Sequence, residues 1–260
     1  MFPIRDHNPS GRVPFVTYAL IAVNVGVFLA TWGLDSNPRA LMAFYEDYAL
    51  VPRLVSEGGP VSGFLTSMFL HGGIMHLLGN MLFLFIFGDN IEDEFGHGGY
   101  LLFYLACGLG SAYAHYASAP LSPIPTVGAS GAIAGVMGGY LLLFPRARVD
   151  ILVDLVMISK IISLPAWVML ARCFGMQPLG GVSASPEEGG VAYWAHAGGF
   201  VIGLVLTLPL WLRRGGPAFW ARTQGHPPHP EARYTTGRTH VPRVPRAGRR
   251  GSGPWRGPWG

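Results

Sequence analysis

PTVGASGAIAGVMGGY, residues 125–140, is the stretch whose reading decides the fold. It is apolar enough to sit in a bilayer, yet it is built mostly from Gly, Ala and Ser. Gly131, Gly135 and Gly139 recur at i, i+4 spacing and share one helical face. Such a face lets a neighbouring backbone approach closely. Ser130 opens the helix, so its hydroxyl sits beside the preceding loop. Taken alone, the stretch is equally what a close-packing helix with an incidental serine would show.

Composition sets the surroundings. Of 260 residues, 50% are hydrophobic and only 12% charged, and the mean hydropathy is +0.35. A soluble globule carries about 25% charged residues, so this chain lacks the polar coat it would need in water. Ten of its 18 basic residues are arginines between Arg213 and Arg256, where Glu231 is the only acid. Cys107 and Cys173 lie in apolar runs and form no CxxC site, which fits membrane packing.

Apolar runs long enough to span occur at about 13–31, 64–88, 98–118, 126–144, 155–176 and 190–212. The expected fold is an all-α polytopic membrane protein, a bundle of six transmembrane helices over residues 13–212. The fifth run is interrupted by Lys160 and Arg172 and carries Pro165 near its middle, where a kink is expected. Alternatively, Val149–Ser159 is an interfacial approach to a span that starts later. Residues 1–12 form a short leader, and residues 213–260 a basic tail, disordered from Gly215 on. The tail suits a solvated topology anchor. Contact with anionic lipid or nucleic acid is the other reading of its charge, although no nucleic-acid partner is expected. Arg5, Arg12, Arg146, Arg148 and the tail fall on one side of a six-span chain. The positive-inside rule makes that side, with both termini, cytoplasmic, and the expected location is the cell (inner) membrane. The loop over about 33–63 mixes aromatic and charged residues, as a segment lying in the interface does.

Polar side chains inside a span are expensive and need a reason. His71, His76 and Asn80 lie on the second run, with His76 and Asn80 four residues apart on one face. His196 lies on the sixth, one turn before Gly199, and Gly199 and Gly203 make a small-residue face that can press against the face of Gly131. Helix-to-helix hydrogen bonding would explain either set singly. A metal is not expected, since the histidines of the second run are five apart with no acid between them, unlike HExxH. Depth and packing face place Ser130 near His196. Imidazole is the natural base for a serine hydroxyl near neutral pH. His76, Asn80 and the Ser130 N–H can serve as oxyanion donors. The acids Asp89, Asp150 and Asp154 fall at the opposite end, which implies a Ser–His dyad rather than a triad.

These residues resemble the rhomboid intramembrane serine proteases of the compact six-helix bacterial type. The likeness rests on His71-x4-His76-x3-Asn80, on Gly128-Ala129-Ser130-Gly131 and on Ala195-His196-x2-Gly199-x3-Gly203. FGDNIEDEFG after the second run and YALVPRL in the first loop are further similar text. The resemblance implies Ser130 as nucleophile and His196 as its base. It implies an oxyanion hole of His76, Asn80 and the Ser130 N–H, with His71, Gly128, Gly131, Gly199 and Gly203 in support. No cofactor is implied. Three departures stand out. Some relatives carry an aromatic one turn after the serine, where this chain has Ala134. Many have Trp-Arg in the first loop, which is absent here. Relatives often carry a tryptophan in the fifth helix, where this chain reads Ala171-Arg172-Cys173.

The expected activity is hydrolysis of peptide bonds in or near single-pass transmembrane segments, through an acyl-enzyme. Its partners are those substrates and the lipid bilayer, and the fifth helix would act as the gate. Two rival classes are a catalytically silent relative that binds client helices and a small transporter with histidine proton relays. The first usually lacks the serine or the histidine. The second predicts inverted repeats, which the halves of this chain do not display.

Overall fold

The computed structural model describes residues 2–155, 158–183 and 191–234. Its main elements are β1 (Phe2–Asp6), α1 (Phe15–Thr31), α2 (Pro38–Tyr48), α3 (Ile74–Ser118), α4 (Ser130–Leu143), β2 (Arg148–Leu155), β3 (Ile158–Pro165), α5 (Ala166–Ser183), α6 (Val191–Arg213) and α7 (Pro217–Thr223). Gly96 interrupts α3 at φ 70°, ψ 162°. That positive φ suits glycine, and the chain turns back there, setting Phe95 on Phe103 with ring centroids 4.7 Å apart. Among the described residues, Phe15–Ser36, Ile74–Ser118 and Tyr193–Arg213 are long and apolar enough to cross a membrane. Ser130–Leu143 and Ala166–Gly175 are apolar but shorter.

The seam between α4 and α6 sits at the centre. A Cβ at Gly199 would strike the Gly131 carbonyl, one at Gly203 the Gly135 carbonyl, and one at Gly138 the Phe200 carbonyl. Backbones this close leave no room for a side chain between them, so the alternating glycines are a steric requirement. Gly135 also faces Cys107 on the second arm of α3, and the Ser111 hydroxyl donates to the Ala195 carbonyl at 2.7 Å. Three elements therefore meet along one line of small residues.

Glu92 fixes α1 to this core. Its buried carboxylate accepts from the Val16 and Thr17 N–H groups at 2.9 and 2.8 Å and from the Thr17 hydroxyl at 2.8 Å. A helix begins with unpaired N–H groups and a positive dipole end. The usual cap comes from the adjoining chain; here it comes from 75 residues away.

Four expectations are corrected. The fifth span does not begin near 155: residues 148–165 form the antiparallel strands β2 and β3, and the helix starts only at Ala166. This agrees with the alternative of a later-starting span, with strands as the approach to it. Pro165 ends β3 and is no mid-helix kink; with no N–H to donate, it suits a strand end. β1 of the expected leader pairs with β2, giving the order β1-β2-β3. The tail is ordered further than Gly215: α7 buries Phe219, and the chain continues to Tyr234, whose ring lies under the Arg5 guanidinium at 4.0 Å. Residues 235–260 lie outside those described. His71 also precedes the helix it was expected to occupy, since α3 starts at Ile74.

Asp150 is the hub of the sheet. Arg5 and Ser163 lie opposite it on the flanking strands. It accepts from Arg5 Nε at 2.7 Å, from the Ser163 hydroxyl, and pairs with His7 Nε2 at 2.9 Å. Burial pushes its carboxyl upward, but the bonds from Ser163, His7 and Arg5 outweigh burial and hold it down at about 2. A lowered carboxyl stabilises the folded form above its ordinary pKa of about 4 and loses that contribution as pH falls through the folded value. Amide exchange in β2 and β3 should thus stay slow at pH 4 and quicken toward pH 2. Asp150→Asn should be quick at both, and equal protection in the two proteins would remove Asp150 from this role.

The seam predicts its own asymmetry. Gly203→Val should cost about 1–3 kcal/mol of stability by overpacking. A Cβ at Gly26 on α1 meets nothing within 4 Å, so Gly26→Ala should be neutral or slightly stabilising. Thermal unfolding in detergent compares the two, and similar losses would contradict a steric seam.

Candidate active site

Ser130 is the first residue of α4 and His196 lies one turn into α6. The glycine seam sets these ends side by side, with His196 Nε2 2.8 Å from Ser130 Oγ. At that distance the imidazole can take the hydroxyl proton. Among the described residues no carboxylate bonds to His196. The α4 start also leaves unpaired N–H groups beside Ser130.

Gly128 approaches from the preceding loop. Its φ is +132°, and a Cβ there would lie 2.9 Å from the His76 imidazole and 3.6 Å from Ser130 Oγ. Only glycine lets this strand run between the two side chains. Its N–H donates to the Ser67 carbonyl at 2.9 Å, and Thr126 pairs with Leu50 through two backbone bonds, of 2.8 and 3.1 Å. The first loop is thereby stitched to the approach to Ser130.

His76 and Asn80 lie on the first arm of α3. His76 meets the His71 ring edge-on at 5.1 Å between centroids. Asn80 is 8% exposed, and its Nδ2 has no hydrogen-bond partner among the described residues. A buried donor without an acceptor costs free energy unless something else fills the place. Asn80 opens onto a cavity of 390 Å³ that Ser130, His76 and His196 also line. The rest of that wall is apolar, with Met75, Phe83 and Met137 on one side and Cys173 and Phe174 of α5 on the other. Phe174 stacks on Phe200 of α6 at 4.2 Å.

Of the residues singled out in the sequence, Ser130, His196, His76 and Asn80 line this cavity and Gly128 stands beside it; His71 packs on His76 but lines a different cavity, and Gly131, Gly199 and Gly203 belong to the seam. Sequence reasoning did not find Ser111, His115 and Thr126. These line a second, smaller cavity of 130 Å³ on the other side of Ser130, where His115 Nε2 and Thr126 Oγ1 lie 2.6 Å apart. His115 sits late in an apolar run, and that was its only signal. No group of three or more His, Cys, Asp or Glu able to hold a metal occurs among the described residues.

Comparison with known proteins follows the same lines. The chain is 37% identical over 131 residues to Rhomboid protease GluP of Bacillus subtilis (strain 168), covering 49% of this chain and 24% of that protein. It is 33% identical over 230 residues to RHOMBOID-like protein 4 of Arabidopsis thaliana, 77% of this chain and 53% of the relative. It is 30% identical over 195 residues to Rhomboid protein 1, mitochondrial, of Saccharomyces cerevisiae, 73% and 51%. The chain thus spans about a quarter to about half the length of these curated relatives. The profile of the Rhomboid domain matches residues 59–213, which hold α3 to α6, the glycine seam and the side chains that line the cavity at Ser130, and the chain belongs to the rhomboid family.

Proposed function

We propose that this chain is an intramembrane serine endopeptidase that cuts single-pass membrane proteins in or near their transmembrane segments. The 2.8 Å approach of His196 Nε2 to Ser130 Oγ, at a cavity that also holds an unpartnered Asn80 donor, carries the reading. Relatives named as proteases support it.

In the proposed reaction His196 Nε2 removes the Ser130 proton as Oγ attacks the scissile carbonyl carbon. His76, the Asn80 amide and the Ser130 N–H hold the oxyanion. Collapse breaks the C–N bond, and His196 gives its proton to the leaving amine. Water, deprotonated by the same imidazole, then hydrolyses the acyl-enzyme and frees Ser130. A substrate helix shields its own carbonyls, so local unwinding favours segments weakened by Gly or Pro near the cut. Six passes follow if both arms of α3 and the shorter α4 and α5 each cross. Both termini then share the cytoplasmic face, and Ser130 opens toward the other. The α5 wall, carrying Cys173 and Phe174, is the side a substrate would enter by displacing.

The proposal is tested by incubating purified full-length protein with a single-pass substrate in vesicles. Ser130→Ala and His196→Ala should each lower turnover by about a thousandfold or more, and a fluorophosphonate should label the parent but not Ser130→Ala. An intact parent that neither cuts nor labels would shift the assignment to a helix-binding relative.

Gly128 offers a finer test. Gly128→Ala must adopt a disfavoured φ and press on His76, so kcat/KM should fall about ten- to a hundredfold with the fold retained. Unchanged kinetics would mean the loop does not position His76.

A further inference from the structure

The end of the bundle opposite Ser130 holds a separate cavity of 190 Å³. Asp6, which lines it, accepts from the Tyr140 hydroxyl at 2.7 Å. Tyr140 stands ten residues down α4 from Ser130, about 15 Å along the helix axis. The cavity is therefore no part of the site above.

Its wall is chemically specific. Asn8 is 1% exposed and lines the cavity; its Oδ1 has no hydrogen-bond partner among the described residues, and its Nδ2 makes no well-formed hydrogen bond, although the Tyr140 hydroxyl stands near it. A buried amide is rarely left without a well-formed bond at either end, because each costs a desolvation penalty. Beside it are the carboxyls of Asp6 and Asp89. Burial first, and then the proximity of Asp89, push Asp6 up to about 8 against the pull of Tyr140. Two carboxyls lining one small cavity favour a cation between them. Arg5 also lines the cavity; it spends Nε on Asp150 and lays its face over Tyr234, and its terminal N–H groups have no other hydrogen bond among the described residues. Tyr18 of α1 and Phe85 of α3, 47% and 56% exposed, frame an opening on an outer surface of the helices.

A cation at one end of this wall and donors at the other select a zwitterion. Two carboxyls and water could complete the shell of a hard metal ion, but the Arg5 guanidinium in the same wall repels a divalent charge and leaves donors that need an anion. The space is several times the roughly 30 Å³ share of one water. An ammonium offers three N–H donors, matching two carboxyls and one amide oxygen. We propose that this cavity binds the headgroup of a phospholipid bearing a primary amine: the ammonium is held by Asp6, Asp89 and the Asn8 carbonyl, and the phosphodiester by the Asn8 N–H and Arg5. Its acyl chains leave between Tyr18 and Phe85, where aromatic side chains suit the membrane interface.

Native mass spectrometry of the full chain released from detergent tests this, with dioleoyl phosphatidylethanolamine, phosphatidylcholine and phosphatidylglycerol as probes, and soluble phosphoethanolamine and magnesium chloride as competitors. The ethanolamine lipid should be retained over the other two, since choline has no N–H and glycerol no cation. Asn8→Ala and Asp89→Asn should each weaken retention about tenfold. Thermal unfolding in detergent establishes which variants fold, and either one that does suffices for the comparison. Equal retention of the three lipids, or retention unchanged in a folded variant, would overturn the proposal. So would displacement by phosphoethanolamine or magnesium at concentrations matching the lipid, which would assign the cavity to a soluble ligand. The readout is binding, so it stands apart from peptidase activity at Ser130.

Discussion

Backbone-to-backbone contact between α4 and α6 is the constraint on which the site depends. In a bilayer, helices gain little by exchanging lipid for one another's aliphatic side chains, and close packing of small residues supplies the attraction. Gly131, Gly135 and Gly138 on one helix meet Gly199, the Phe200 carbonyl and Gly203 on the other, with no side chain between. Register is then set by whole residues, because a slip of one position would drive a side chain into a carbonyl. Ser130 and His196 sit at adjoining ends of this seam, so their 2.8 Å separation follows from helix packing rather than from a flexible loop.

Polar interactions hold what the seam does not reach. Glu92 caps α1 from a distance, Ser111 ties the second arm of α3 to α6, and Asp150 gathers β1, β2 and β3. Each joins segments far apart in the chain, Ser111 by a single donated bond and Glu92 and Asp150 by carboxylates that collect several donors. Such groups are costly singly and stable only when their donor sets are complete. Asn80 and Asn8 depart from that rule, each buried with an unpaired amide and each opening onto a cavity. An unpaired buried polar atom at a cavity wall is the observation the two proposals share; Tyr104 and Trp211, buried and unpaired as well, line neither cavity.

Legibility from sequence followed the same division. The glycine spacing, and polar residues where an apolar run forbids them, were visible because each violates the composition around it. Ser130, His196, His76 and Asn80, which line one cavity in the structure, therefore stood out. Residues 155–165 read as the start of the fifth span because a run rich in Ile, Leu and Val has similar hydropathy as strand or as helix; periodicity alone cannot separate them, and Arg5 of β1 and Asp150 of β2, which pair in the sheet, are 145 residues apart in the chain. Glu92 looked like one acid among four in a connecting segment, since its partners on α1 are not local. Residues 215–234 carried no apolar periodicity, and what orders them is contact with the sheet and α4, as in the bond from Trp220 Nε1 to the Leu142 carbonyl at 2.9 Å.

The distribution of charge explains why the candidate chemistry rests on a pair. A carboxylate beside His196 would have to be buried among apolar side chains, at a cost of several kcal/mol unless fully paired. The described carboxylates nearest the core lie instead at the other end, where Arg5, His7 and helix N-termini can meet them. An imidazole without that partner still accepts a proton from a hydroxyl. Its orientation then depends on packing alone, and in this chain that packing comes from the seam. In the proposed mechanism the glycines behind Ser130 and His196 would thus take the place that a third catalytic residue fills elsewhere: they fix where the imidazole points, and they do so without bringing a charge into the membrane.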